Sequence, residues 1–179
     1  MSEIQIVNMI AKGQLDTELD LKALCEDIIV YESYIKGPGL YLKFEEDGPI
    51  LTIARSGKYF SSGVKSFEEL DSIHKDFSDL MNDLGVVPNN SEVSFEVVNV
   101  VTLQDLDIQI ELSRLAMSLG MENIEYEPEQ FAGLVYKPKI SEGTVLIFSS
   151  GKVIVTGSKE ISDSKKIHKS VESFLQSNI

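Results

Sequence analysis

The chain has 179 residues, a formal net charge of −13 and an ordinary 42% of hydrophobic residues. That length suits one domain or two small ones, and the composition excludes a disordered chain. The single cysteine, Cys25, excludes an internal disulfide framework and a cysteine zinc site, no apolar run reaches the ~18 residues of a membrane span, and Met1-Ser2-Glu3-Ile4-Gln5 lacks a signal-peptide pattern, so an intracellular protein is expected. At first sight the acidic balance also argues against a nucleic-acid binder, because phosphate contacts draw on Lys and Arg.

Ile4 to Ala11 has strand composition. Asp20 to Ile29 reads as a short helix with Leu21, Leu24 and Ile28 on one face, which makes Cys25 a buried, inert thiol. Three strand-like runs follow. Leu40 to Phe44 ends at Glu46-Asp47-Gly48-Pro49, Ile50 to Ala54 at Ser56-Gly57, and Lys58 to Ser62 at Gly63. Tight turns between short strands predict antiparallel hairpins. Ser66 and Glu69 have the spacing of a capping box, and Phe67, Leu70, Ile73, Phe77, Leu80, Met81 and Leu84 recur at helical spacing behind it. Glu68, Asp71, Asp76, Asp79 and Asp83 occupy the opposite face, and a turn-rich junction lies around Gly85 to Ser91.

The second half repeats the first. Val7-Asn8-Met9-Ile10 matches Val98-Asn99-Val100-Val101 at an offset of 91, as do Leu15-Asp16 and Leu106-Asp107. Further on the offset is 94, pairing Gly39-Leu40 with Gly133-Leu134, Ser56-Gly57-Lys58 with Ser150-Gly151-Lys152, and His74 with His168. Three residues are therefore missing from the first copy between Leu24 and Gly39. A period this long exceeds a solenoid unit and fits two tandem copies of a small domain, 1–88 and 89–179. Each copy reads as a sheet with helices on one side, an α+β unit. In the last helix Ile161, Ile167, Val171, Phe174 and Leu175 point inward.

Alternation along Thr144 to Phe148 puts Thr144, Leu146 and Phe148 on one face, and along Lys152 to Thr156 it puts Lys152, Ile154 and Thr156 on one face. Both faces are largely apolar. Either the sheet is buried on both sides, or one face packs on helices and the other meets a partner. His74 and His168, at equivalent places, read as packing or surface residues, with no Cys or third His to complete a metal shell. Ser149-Ser150-Gly151-Lys152 lacks phosphate-loop spacing and leads into a strand. No catalytic arrangement stands out, and neither an enzyme nor a cofactor is expected.

Asn99-Val100-Val101, Tyr126-Glu127-Pro128-Glu129-Gln130-Phe131-Ala132-Gly133-Leu134-Val135-Tyr136, Leu146-Ile147-Phe148-Ser149-Ser150-Gly151-Lys152 and Thr156-Gly157-Ser158-Lys159 resemble the TATA-box-binding protein family, its archaeal members above all. The resemblance spans both copies and is stronger in the second. It implies a saddle made of two pseudo-symmetric repeats, a curved ten-stranded antiparallel sheet with four helices on the convex side. It also implies a transcription initiation factor on the minor groove of A/T-rich promoter DNA, kinked by apolar wedges (this family is itself the standard example of such kinking). The implied partners are that DNA, transcription factor B and, through it, RNA polymerase. A membrane is not among them, and a homodimer in the absence of DNA stays open.

Residue by residue, Phe131 and Phe148 match the wedge pair, and Asn99 matches the central asparagine with Asn8 as its mate. Val101, Leu146, Ile154 and Thr156 match residues on base edges, mirrored by Ile10, Thr52, Phe60 and Ser62. Lys137, Ser150 and Lys152 match phosphate contacts, mirrored by Lys43, Ser56 and Lys58. Glu127, Glu129 and Gln130 fall where the family meets transcription factor B. The first copy departs from the pattern, with Gly37 and Ala54 at the wedge positions and Tyr34, Ile35 or Phe60 as the available substitutes. That departure keeps two other readings open. One is a paralogue acting mainly as a protein-interaction regulator, and the other is a saddle-like recognition domain for another nucleic acid. The acids divide into 16 before residue 91 and 13 after it, against 8 basic residues in each part, and they gather on helix faces and loops. Net charge is thus a poor guide to a face that carries Lys43, Lys58, Lys137 and Lys152.

Overall fold

A computed structural model describes residues 2–88, 91–139 and 142–178. It contains ten strands and four α-helices, and the sheet is antiparallel, as the fold-class expectation has it. Two compact units divide the chain. One is Asn8–Val98, and the other combines Met1–Val7 with Asn99–Ile179.

The first unit takes strand β1 (Ile4–Gln14) from Asn8 onward, helix α1 (Leu21–Asp27), strands β2 (Glu32–Lys36), β3 (Gly39–Lys43), β4 (Ile50–Ala54) and β5 (Lys58–Val64), and helix α2 (Phe67–Asp83). Its strands lie in the order β2-β3-β4-β5-β1. The second unit repeats the plan with β6 (Glu96–Asp105), largely within it, then α3 (Leu112–Leu119), β7 (Ile124–Glu125), β8 (Gly133–Tyr136), β9 (Thr144–Phe148), β10 (Lys152–Ser158) and α4 (Ile161–Asn178). Its order is β6-β10-β9-β8-β7.

Alternation decides which side chains the helices cover. In the first unit Met9, Ala11, Leu40, Leu42, Leu51, Ile53, Tyr59 and Val64 are buried, and Leu70, Ile73, Phe77 and Met81 of α2 are buried with them. The Tyr59 ring centres 4.7 Å from Phe77 and 5.2 Å from Phe95, and its hydroxyl donates to the Ser94 carbonyl. The second unit gathers Ile110, Leu112, Leu115, Leu134, Val145, Ile147, Val153, Val155, Ile167, Val171 and Leu175 into one cluster. Burial of this kind contributes about 1.5–3 kcal/mol for each large apolar side chain.

The helix starts follow local chemistry. Asp20 caps α1, its carboxylate accepting from the N–H groups of Lys22 and Ala23 at 3.1 and 3.2 Å. Ser66 Oγ accepts from the Glu69 N–H at 3.1 Å, as the capping box predicts, while the Glu69 carboxylate takes the Lys65 N–H. Three expectations change. Helix α1 is shorter than Asp20 to Ile29, because Asp20 is its cap and Ile28 is already extended. Cys25 is half-buried, not buried, with Sγ 3.9 Å from Ser33 Oγ. Phe67, read as inward, lies in the exposed first turn of α2. The turn-rich junction falls partly outside the described residues.

His168 is packed inside the second unit, as the packing reading expects. Its Nε2 is 2.9 Å from Thr102 Oγ1, and Thr102 Oγ1 also contacts Ser164 Oγ. Burial pushes its pKa down to about 4 from 6.5, only partly offset by the bond to Thr102, and among the described residues Nδ1 has no partner. His74 is instead half-buried, with Nε2 against the Val93 carbonyl. A lowered folded-state pKa means that the unfolded chain binds the proton first. The stability tied to neutral His168 is complete above about pH 6.5 and is lost progressively as the pH falls toward 4. We expect the melting temperature to fall between pH 6.5 and 5 and His168→Leu to flatten that slope, as read by thermal denaturation across the range.

Candidate nucleic-acid interface

The helices leave the other face of the sheet open, and the strand register arranges it in rows. In the first unit Tyr34, Tyr41, Thr52, Phe60 and Lys12 stand directly opposite one another across β2, β3, β4, β5 and β1. In the second the same row reads Glu125, Val135, Leu146, Ile154 and Leu103 across β7, β8, β9, β10 and β6. Each pair of counterparts keeps an offset of 91 or 94, so the three-residue difference lies in one hairpin. The first unit closes that hairpin with Gly37 and Pro38, since Lys36 pairs with Gly39. The second uses the longer loop between β7 and β8, which carries Glu127, Glu129, Gln130 and Phe131, all exposed.

That loop is held by its own backbone. The N–H groups of Gln130 and Phe131 both donate to the Glu127 carbonyl at 2.9 Å. The turn delivers Phe131 onto Phe148, with ring centres 5.8 Å apart and planes at 68°. Gly133 makes room for the pair. A Cβ there would lie 2.8 Å from Phe131 Cε1 and 3.1 Å from Phe148 Cε1. Phe131 remains 39% exposed. Gly37 and Ala54 leave the first unit without such a pair. It has instead the stacked rings of Tyr34 and Tyr41, 5.2 Å apart and 3° from parallel.

The two asparagines are aimed by bulges. Between Met9 and Ala11 the register of β1 on β5 shifts, and between Val155 and Ser158 that of β10 on β6 does the same. Each extra residue brings a glycine with positive φ, Gly63 at +84° and Gly157 at +90°. The Gly63 N–H donates to Asn8 Oδ1 at 2.8 Å, and the Gly157 N–H to Asn99 Oδ1 at 2.8 Å. Because an N–H can only donate, this fixes the amide: oxygen toward the backbone, amino group free to donate. In the second unit Asn99 Nδ2 also lies 3.2 Å from Thr156 Oγ1.

The remaining sequence-predicted residues fall on this same face or at its turns. Ile10, Ser62, Val101, Leu146, Phe148, Ile154 and Thr156 are half-buried, and Phe60 is 43% exposed. Thr52 keeps its row position but is only 8% exposed, between Tyr41 and Phe60. Ser56 and Ser150 sit exposed in the turns before β5 and β10, and Lys58 and Lys152 begin those strands, also exposed. Lys43 donates to the Glu46 carbonyl at 3.1 Å, and Lys137 pairs with Glu125 at 2.7 Å. The same rows hold Lys12, Tyr41, Leu103, Glu125 and Val135, which the family resemblance does not single out. Strict alternation within each strand was the signal that would have found them. Among the described residues no group of three or more His, Cys, Asp or Glu is placed to hold a metal ion, and no helix is long and apolar enough to cross a membrane.

Two copies of an α+β unit, each with an apolar sheet face left open and an asparagine amino group presented on it, define a duplicated binding protein. A family model described as "Transcription factor TFIID (or TATA-binding protein, TBP)" matches residues 3–84 and 94–177. The chain is 38% identical over 176 residues to TATA-box-binding protein C of Halobacterium salinarum, covering 97% of both chains. It is 39% identical over 166 residues to the TATA-box-binding protein of Archaeoglobus fulgidus, covering 92% of this chain and 90% of that one. Its structure matches Methanococcus jannaschii TBP with a TM-score of 0.81 at 33% identity, covering 98% of this chain and 99% of that one. The chain belongs to the TATA-box-binding protein family, DNA-binding factors of transcription initiation.

Positive φ at the bulges makes a direct prediction. Gly63→Ala or Gly157→Ala should each lower stability by about 1–3 kcal/mol in urea denaturation, the usual cost of forcing a side chain into that backbone region. Gly133→Ala should also lower stability, because its Cβ would meet the Phe131 and Phe148 rings and the Ile147 carbonyl oxygen, 3.2 Å away.

Proposed function

We propose that the open sheet face binds the minor groove of A/T-rich promoter DNA, each repeat (1–88 and 89–179) supplying half of the contact. The asparagine geometry is the observation that carries this reading. Each amide oxygen is already satisfied by a glycine N–H, so each amide offers donors. The minor-groove edges of A·T pairs offer only acceptors, whereas a G·C pair adds a donor that would face another donor. Val101, Leu146, Ile154 and Thr156 lie against base and sugar edges in the second repeat, and Ile10, Phe60 and Ser62 do so in the first. Thr52, being covered, passes its contact to Tyr41 and Phe60. Lys43, Lys58, Lys137, Lys152, Ser56 and Ser150 take phosphates.

Phe131 and Phe148 open a base step at the second repeat. The loop of Glu127, Glu129 and Gln130, exposed and held clear by its backbone turn, meets transcription factor B, which brings RNA polymerase. The competing reading is a regulator that contacts protein without bending DNA, and the bare Gly37-Pro38 turn is the feature that favours it.

A fluorescence-labelled A/T-rich duplex separates the two readings. Wild type is expected to bind and bend it and to bind a G/C-rich duplex far less. Phe148→Ala should weaken binding about 5- to 150-fold, from the ~1–3 kcal/mol of a stacked aromatic, and reduce the bend. A wild type that binds transcription factor B but never bends the duplex would establish the regulator instead. For the loop, Glu127→Lys/Glu129→Lys should leave duplex binding intact and abolish the ternary complex with transcription factor B in a gel-shift assay. An unchanged ternary complex would remove the loop from that role.

A further inference from the structure

The stacked tyrosines of the first repeat occupy the row positions of Glu125 and Val135, not the wedge positions, which there hold Gly37 and Ala54. We infer that Tyr34 and Tyr41 read the minor groove through their hydroxyls, without opening a base step, so that the duplex is kinked at the second repeat alone; this rests on the minor-groove reading above.

The rings' geometry argues against insertion. Their planes lie 3° from parallel with centres 5.2 Å apart, so they form a slab two rings thick. Neighbouring bases on a B-form strand are separated by about 3.4 Å, and a step opened for one ring has no room for two. Withdrawing one ring would break the stack. Phe131 and Phe148 meet at 68° and are not joined into such a slab. The Gly37-Pro38 turn at the tip of the first repeat carries no aromatic residue in the place of Phe131. Gly37 stands in open space, with no atom within 4 Å of where its Cβ would be.

The chemistry argues for reading. Tyr34 is 38% exposed and Tyr41 half-buried on the open face. Among the described residues neither hydroxyl has a hydrogen-bond partner, unlike that of Tyr59, which is held by Ser94. A phenol donates, as the asparagine amides do, and A·T edges only accept. The row continues through Phe60, 43% exposed, to the exposed Lys12. The first repeat therefore lines one row with two hydroxyl donors, one aromatic face and one cation. In the second repeat the corresponding residues are Glu125, Val135, Ile154 and Leu103.

The test uses an A/T-rich duplex carrying 2-aminopurine at one step at a time, whose fluorescence rises where bases unstack, with end-labelled duplex for affinity and bend. Wild type should brighten the probe at one end of the site only. Tyr34→Phe/Tyr41→Phe, which keeps both rings and the stack, should weaken binding about thirtyfold while leaving the bend and the bright step where they were; two hydrogen bonds of ordinary strength correspond to that factor. Phe131→Ala/Phe148→Ala should remove the bright step. Unstacking at both ends, or an affinity unchanged by Tyr34→Phe/Tyr41→Phe, overturns the inference. Failure of wild type to bind any A/T-rich duplex overturns the minor-groove reading beneath it, and is distinguishable because it appears before any variant is made.

Discussion

An antiparallel sheet has two faces, and in each unit of this chain helices shield only one. Everything else follows from that asymmetry. The covered face is closed by burial of Leu40, Leu42, Leu51 and Ile53 in one unit and of Leu134, Val145, Ile147 and Val153 in the other. The residues between them in sequence have nowhere to go but the opposite side. There Leu146, Ile154, Val101 and Phe148 stay half-exposed. A contiguous apolar surface of that kind is costly in water unless a partner covers it. The polar groups set among these side chains restrict which partner fits. The amino groups of Asn8 and Asn99 exclude a purely hydrophobic one, and the lysines at the strand ends favour an anionic one.

Much of this was legible in the sequence. The repeat, the alternation of the strands and the capped α2 all depend on near neighbours along the chain, and there sequence pattern and structure agree. Less legible were features set by contacts across strands. Strand β2 carries the weakly patterned Glu-Ser-Tyr-Ile-Lys and is defined by its register with β3, not by its own composition. The stacking of Tyr34 on Tyr41 exists only because that register sets them opposite each other. The burial of Thr52 has the same origin, since its two flanking aromatics belong to other strands. The half-burial of Cys25 reflects the short reach of α1, which the apolar spacing overstated. The offset that sets Phe131 against Gly37 carries no information about shape. One sits on a loop, the other in a bare two-residue turn.

The charge finds its explanation in placement. Glu68, Asp71, Asp79 and Asp83 are exposed on the helix side of the first unit, where Lys75 pairs with Asp79 at 2.7 Å in full solvent. Such exposed pairs add little stability. On the open face acids are few, and Glu125 is tied to Lys137. A net charge of −13 therefore describes the chain as a whole and not the surface offered to a partner.

The bulges have one more consequence, and it concerns insertions and deletions. The extra residue at Gly63 lets Ser61 and Val64 both face inward although they are three apart, an odd spacing that regular alternation forbids. Val155 and Ser158 repeat the trick around Gly157. Deleting either glycine would leave inside and outside as they are, because the flanking inward residues would then stand two apart and obey ordinary alternation. What it would erase is the N–H that orients Asn8 or Asn99. The inserted residue thus serves the aim of the donor and not the parity of the core. The one place where the two halves differ in length is the hairpin tip, away from either bulge.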